Sequence, residues 1–374
     1  MIPPNATGSF PWFQMPMSML MPMPVPFPDF AGFQEKMARM PRIMEIARKV
    51  RVGTTPKEIT YREDKLRVFR YQSDVEKKHR TPLILVFALL NRPYILDLLQ
   101  HKSVVRQFLG AGFDVFLIDW GVPSKGDKNL RLEDYVDRYM QNVVRHVCEE
   151  TDVESVNLLG YCMGGTMSAM YTSLHQELVR NFILMAAPID FSARESLLSV
   201  WCDEKYFDID QVIDVFGNAP KEWTQGSFLM LKPVSNLIEK YMNFYERMSD
   251  DKFLEEYFAM ETWLNDNIPV AGETFRQFVK YCYQQNLLVQ GRFPFAGKTL
   301  DLANITCPIL NLTASADHLV PCGQSLPFND LVGSKDRTAI NFPAGHIGLA
   351  VGSKAHRELW PKACDWLAER SESL

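Results

Sequence analysis

Ten residues constrain this chain more than any other stretch: Val156-Asn157-Leu158-Leu159-Gly160-Tyr161-Cys162-Met163-Gly164-Gly165. A short apolar strand runs into Gly-x-Cys-x-Gly, and a helix of small and apolar residues continues from Thr166 to about Leu174. The pattern is that of a nucleophile elbow, a strained strand-to-helix turn that pushes its central side chain into the open. Gly160 and Gly164 carry no side chain, so neighbouring backbones can approach closely. The start of the following helix favours a thiolate and offers backbone N–H donors. Taken alone, the string fits a buried cysteine in a glycine-rich turn as well as it fits a nucleophile. The strand, the helix and partners downstream decide between the two.

The surrounding pattern alternates strand and helix. Glu58 to Tyr71 alternates polar and apolar around Asp64-Lys65 and predicts a hairpin. Leu83 to Leu89 is a fully apolar strand, followed by the loop Leu90-Asn91-Arg92-Pro93-Tyr94, which opens a helix. Asp114 to Ile118 is a second buried strand, ending at Asp119-Trp120-Gly121, and a long polar helix covers about Leu132 to Glu150. The elbow strand and helix come next, then a strand from Phe182 to Ala186. This alternation predicts a mostly parallel, doubly wound sheet covered on both faces. From about Ser192 to Phe295 strand-like runs disappear and aromatics mix with charges at helical spacing, as expected of a helical cap inserted over the sheet. Strands at Pro308 to Leu312 and Thr338 to Phe342 follow, with a last helix ending near Arg370. The expectation is an α/β-hydrolase fold: core at 31–191 and 296–374, helical cap at 192–295.

Residues 1–30 stand apart, with eight prolines and six methionines. Prolines at this density forbid helix and sheet. The segment reads either as a flexible tail or as an adhesive apolar strip, with Trp12, Phe13, Phe27 and Phe30 among its methionines, suited to a greasy surface or a partner subunit. An amphipathic helix follows from about Phe33 to Val50.

An α/β-hydrolase sets its residues in the order nucleophile, acid, histidine, each on a loop after a strand. The strand at 308–312 leads to Ala314-Ser315-Ala316-Asp317-His318, and that at 338–342 to Gly345-His346-Ile347-Gly348. Cys162, Asp317 and His346 therefore form the candidate triad. A free thiol is mostly protonated at neutral pH, so His346 takes its proton or pairs with the thiolate, and Asp317 orients the imidazole. The Met163 N–H and one from the loop at Leu90 and Asn91 are the candidate oxyanion donors. Asp119 is the alternative acid. His318 adjoins Asp317, too close to be the ring it orients, and reads as structural. The remaining histidines, 79, 101, 146, 175 and 356, fall on predicted helices or loops without partners.

Composition removes other functions. The net charge of −5 comes without blocks of like charge, and Lys77-Lys78-His79-Arg80 reads as a solvated loop, so no nucleic-acid surface is expected. Seven scattered cysteines with no Cys-x-x-Cys spacing argue for a reducing compartment and against a disulfide framework or zinc site. No P-loop or dinucleotide fingerprint is present, since Gly345, Gly348 and Gly352 surround a histidine loop rather than a strand-to-helix turn. No metal and no cofactor are expected. The longest apolar run, Leu83 to Leu90, is too short to span a bilayer, and no signal peptide is expected at the N-terminus.

Cysteine on the elbow makes a thioester where serine would make an oxygen ester. If the substrate is itself a thioester, loading is nearly isoenergetic and the acyl group stays activated for transfer to an alcohol. A cap that excludes water protects such an intermediate, so cysteine and cap together lean toward acyl transfer over hydrolysis.

Five strings carry a resemblance: Ala88-Leu89-Leu90-Asn91-Arg92-Pro93-Tyr94, Leu117-Ile118-Asp119-Trp120-Gly121, Gly160-Tyr161-Cys162-Met163-Gly164-Gly165, Ala271-Gly272-Glu273-Thr274-Phe275-Arg276-Gln277-Phe278 and Gly345-His346-Ile347-Gly348. From about Val52 to Arg370 the chain resembles polyhydroxyalkanoate synthases, which polymerise (R)-3-hydroxyacyl-CoA into polyester and release CoA. The resemblance implies that Cys162, Asp317 and His346 are the catalytic residues. The length suggests the short two-subunit synthases, class III or class IV. These favour short monomers such as 3-hydroxybutyryl-CoA and need a second, non-catalytic subunit. A homodimer contact and a cytoplasmic place at the surface of polyester granules are further implications. The Pro/Met tail departs from the family pattern.

Overall fold

A computed structural model describes residues 30–374. The expectations for the Pro/Met-rich tail fall outside the described residues, except that Phe30 opens a helix, Phe30–Ala38. The centre is an eight-stranded sheet of β1 (Lys57–Glu63), β2 (Leu66–Tyr71), β3 (Leu83–Val86), β4 (Val115–Asp119), β5 (Val156–Tyr161), β6 (Val179–Met185), β7 (Ile309–Ala314) and β8 (Arg337–Phe342). Its order is β1-β2-β4-β3-β5-β6-β7-β8. The β1–β2 hairpin and its β2–β4 edge are antiparallel, and every other pairing is parallel. β3, β4, β5 and β7 are buried along their whole length, as continuous apolar runs covered on both faces require. The elbow strand β5 lies at the centre, between β3 and β6.

Several elements depart from the sequence expectation. β3 stops at Val86, although Phe87, Ala88 and Leu89 remain buried. These residues turn away past the elbow, so their apolar character reflects burial in a loop rather than pairing in a strand. The helix expected after Tyr94 is a single 3₁₀ turn, Pro93–Leu96; a short hairpin (Asp97–Leu99 with Lys102–Ser103) then precedes the helix Val104–Gly110. The helix before the elbow opens with a π turn, Asp134–Tyr139, and continues as Met140–Thr151.

The insert is helical, with its longest helix at Asp251–Asn265. Two features lie at the expected boundaries. The helix Met40–Lys49, expected in the core, buries Ile43 and Ile46 against Met248, Leu254, Tyr257 and Phe258 of the cap. Arg39 and Arg42 bind Asp251 at 2.7 and 2.8 Å, so this N-terminal helix packs on the insert's longest helix. The expected boundary at 295 falls inside a small hairpin, Phe293–Phe295 with Lys298–Leu300. Among the described residues, no helix is long and apolar enough to cross a membrane.

Candidate active site

β5 delivers Tyr161 and then Cys162, whose backbone has φ 57° and ψ −133°. A non-glycine residue at positive φ is strained and persists only where its surroundings hold it. Three backbone bonds do so. The Cys162 N–H donates to the Met185 carbonyl at 3.0 Å, and the Cys162 carbonyl accepts from Gly165 at 2.8 Å and Thr166 at 3.3 Å. The glycines act as the pattern requires. A Cβ on Gly160 would lie 2.5 Å from the Gly165 Cα, and one on Gly164 would lie 2.4 Å from the Val86 carbonyl oxygen. The helix Met163–Leu174 begins one residue after the sulfur.

β7 and β8 end side by side, and their loops are laced together. Ser315 N–H donates to the Phe342 carbonyl at 2.9 Å and Ala316 N–H to the Ala344 carbonyl at 3.0 Å. The Asp317 carboxylate is sealed from solvent. Its Oδ1 accepts from the Leu319 and Val320 N–H groups at 2.9 and 2.8 Å, and its Oδ2 lies 2.7 Å from His346 Nδ1. On its other side lies Cys162, close enough for its charge to act on the ring. Burial pushes the imidazole pKa down, but the charges of Cys162 and Asp317 and the hydrogen bond to Asp317 outweigh it, so His346 is held above the ordinary imidazole range. The three residues singled out from sequence are thus brought together, with the ring between sulfur and carboxylate.

The other sequence candidates fall elsewhere. Asp119 is committed to Arg67 on β2 and to the Gly121 N–H at 3.0 Å. His318 is exposed. The remaining histidines are not partnerless: His101 meets Glu256, His146 meets Glu150, His175 meets Asp137, and His356 sits between Gln107 and the Ala350 carbonyl. His79 is buried and stacked on Phe113 with ring centroids 4.1 Å apart, so the basic run around it is only partly solvated. Met163 opens the elbow helix as expected. The backbone against Gly164 belongs to Val86 and Phe87, while Leu90 and Asn91 lie in the turn beyond.

Two features have no counterpart in the sequence reading. The Tyr161 ring stacks on His346 at 5.1 Å and its hydroxyl donates to the His346 carbonyl at 3.1 Å. The available signal was its place beside the cysteine. A latch joins cap to core: Trp263 Nε1 donates to the Arg92 carbonyl at 2.8 Å, Tyr94 Oη donates to Asp266 at 3.2 Å, and Arg92 lies 3.4 Å from Asp266. The two cavities described, about 380 and 350 Å³, lie away from Cys162, one between the helices Val104–Gly110 and Trp360–Ala368 and the other within the cap.

Fold and site together define the class, an α/β-hydrolase-fold enzyme with cysteine on the elbow. A family model described as alpha/beta hydrolase fold matches residues 82–353. A soluble variant of monoglyceride lipase from Saccharomyces cerevisiae shares the fold at TM-score 0.53 and 13% identity, covering 87% of this chain and 99% of that one. A second family model, Poly-beta-hydroxybutyrate polymerase (PhaC) N-terminus, matches residues 36–108. The poly(3-hydroxyalkanoate) polymerase subunit PhaC of Haloferax mediterranei is 48% identical over 329 residues, 88% of this chain and 67% of that protein. Those of Thiocystis violacea and Allochromatium vinosum are 42% and 41% identical, covering 85% and 87% of this chain and 90% and 91% of theirs. The chain belongs to the poly(3-hydroxyalkanoate) polymerase family.

Proposed function

We propose that this chain is the catalytic subunit of a polyhydroxyalkanoate synthase that polymerises (R)-3-hydroxyacyl-CoA, 3-hydroxybutyryl-CoA in the first instance, and releases CoA. The observation that carries the reading is His346 held between Cys162 and a sealed Asp317 in a chain of this family. His346 takes the Cys162 proton as sulfur attacks the thioester carbon. The oxyanion is met by the Met163 N–H and by one from the stretch that ends at Leu90 and Asn91. The C–S bond to CoA breaks, and the CoA thiolate takes the proton from His346. The 3-hydroxyl of the next monomer, or of the chain end, then attacks the acyl-cysteine while His346 accepts its proton; the C–S bond to Cys162 breaks and the released thiolate takes the proton back from His346. Both Asp317 oxygens are engaged and hidden, which favours His346 for both proton transfers and leaves Asp317 to orient it.

The substrate brings its own CoA, and the mechanism calls for no resident cofactor. The polymer is insoluble, so the enzyme works in the cytoplasm at a granule surface. A second, non-catalytic subunit and a homodimer contact complete the assembly; the relatives' names, which call each chain a subunit, support a multi-subunit synthase. Incubating the purified chain with (R)-3-hydroxybutyryl-CoA, with and without that subunit, tests the reading. Stoichiometric CoA and turbid polymer are expected. CoA with free 3-hydroxybutyrate and no polymer would make it a thioesterase.

A further inference from the structure

Each proton transfer to His346 creates a positive charge on a ring that is buried. Burial works against that charge, because the imidazolium gives up hydration that the neutral ring does not need. Asp317 compensates from the Nδ1 side, at 2.7 Å. The Tyr161 ring covers the imidazole from another direction. The two centroids stand 5.1 Å apart and the planes 26° apart, so the rings are stacked. Tyr161 is wholly buried, and several contacts fix it. Its hydroxyl donates to the His346 carbonyl at 3.1 Å. Phe87 packs on its ring with centroids 5.3 Å apart, and Trp263 of the cap latch meets Phe87 at 6.4 Å.

An aromatic face carries the negative lobe of a quadrupole and attracts a cation within about 6 Å of its centroid. Imidazolium feels that attraction and neutral imidazole does not, and the effect grows where water is excluded. An aliphatic side chain could fill the same space but would not favour one protonation state over the other. The phenol itself exchanges no proton: burial, and then the charges of Cys162 and Asp317, hold its pKa well above the ordinary phenol value. The other titratable groups around the pair do not compete. Tyr283 is likewise kept neutral by burial, and then by Cys202, Cys162 and Cys282. Lys102, on the hairpin packed against the helix that His346 opens, is paired with Glu256 at 2.8 Å. His356, beyond that helix, is held neutral at ordinary pH by its burial, and His318, beside Asp317, is exposed.

We propose that Tyr161 is a positioning residue that acts through His346: its ring face stabilises the imidazolium against the neutral ring each time His346 takes a proton, first from Cys162 and then from the attacking hydroxyl. The proposal rests on the reading of Cys162 and His346 as the working pair.

The test uses the full-length protein labelled with ¹³C at histidine Cε1, in a Cys162→Ala background that removes the coupled thiol. The His346 signal is the one lost in His346→Gln. Three side chains are compared at position 161: tyrosine, Tyr161→Phe, and pentafluorophenylalanine, which keeps the shape of the ring while reversing its quadrupole. The His346 titration midpoint is expected to be nearly the same for tyrosine and phenylalanine and about one pH unit lower for the fluorinated ring. Equal midpoints for phenylalanine and its fluorinated analogue overturn the proposal. So does a fall already complete in Tyr161→Phe, which would assign the effect to the hydroxyl. With Cys162 restored, alkylation of Cys162 by iodoacetamide at pH 6.5, read by mass spectrometry, is expected to run several-fold slower with the fluorinated ring than in Tyr161→Phe; equal rates overturn the proposal. Neither readout involves an acyl-CoA, so the polymerase reading, tested by CoA release and polymer, can fail or stand separately.

Discussion

Around Cys162 the polar groups are tied down, whereas over the cap large apolar side chains face water. Asp317 takes two backbone N–H donors and the His346 ring, and Tyr161 holds that ring from its face and through its carbonyl. The latch from the cap helix rests instead on Asp266, a half-exposed carboxylate reached from 3.2 and 3.4 Å. The contrast separates two tasks. Covalent chemistry needs reacting atoms fixed before the substrate arrives, because misplacement costs rate steeply. Admitting a monomer and releasing an insoluble chain need a cover whose attachments are individually weak.

The largest effect expected from breaking this comparison is at the nucleophile. Cys162→Ala should lower CoA release at least ~10³-fold, with a melting temperature close to the parent's. Turnover above a few per cent would end the assignment of Cys162. Asp317→Asn comes next. The amide presents a donor to His346 Nδ1 where the carboxylate accepted, so the ring loses its orientation and its countercharge. A fall in kcat of about 10³-fold is expected. If Asp317 acts mainly after loading, intact-protein mass spectrometry will find acyl-enzyme accumulating. A fall in kcat with no acyl-enzyme places its role at the first attack instead.

Much of the core half of this comparison was legible in the sequence. The elbow announced itself because glycines at 160 and 164 are demanded by backbone contacts of 2.5 and 2.4 Å. Asp317 follows a fully buried strand and His346 follows an edge strand that alternates exposed and half-buried residues, both patterns that periodicity locates well. The cap was visible only as a loss of strand pattern. That Met40–Lys49 packs on it was hidden, because amphipathic spacing reveals an apolar face but not what the face meets. The partners of His101 and His175 were hidden for a related reason: Glu256 is 155 residues from His101, and Asp137 is 38 from His175. The length of β3 was overread because a buried loop and a buried strand have the same composition.

On the cap side, Asp266→Ala removes the partner of both Tyr94 and Arg92 while leaving every residue near sulfur in place. An interaction of this exposure is worth about 1 kcal/mol or less. The expected result is therefore a several-fold change in KM for the acyl-CoA with kcat within about twofold, since 1.4 kcal/mol is a factor of ten. An equal fall in kcat with unchanged KM would mean that the latch positions the reacting atoms and that cap and core are not separable.

The smallest effect tests the core away from the chemistry. His356 follows the helix that His346 opens; its Nε2 lies 2.8 Å from the Ala350 carbonyl and its Nδ1 3.3 Å from Gln107 Nε2. The neutral ring satisfies both, donating at Nε2 and accepting at Nδ1, and protonation would set two donors against each other. Burial pushes its pKa down, with Lys102 and His101 adding to the effect against the Ala350 hydrogen bond, to about 4 from an ordinary value of 6.5. Because the folded value is the lower one, the unfolded chain binds the proton first as pH falls. This group therefore costs no stability above about pH 6.5, subtracts progressively between about 6.5 and 4, and subtracts no more below that. His356→Gln keeps a donor for Ala350 and removes the titration. Melting temperatures at pH 7 should nearly coincide, and the loss between pH 6.5 and 4 should be shallower in the variant. Parallel profiles would mean that His356 takes its proton in the folded protein and that this part of the core yields to charge as readily as the cap yields to a partner.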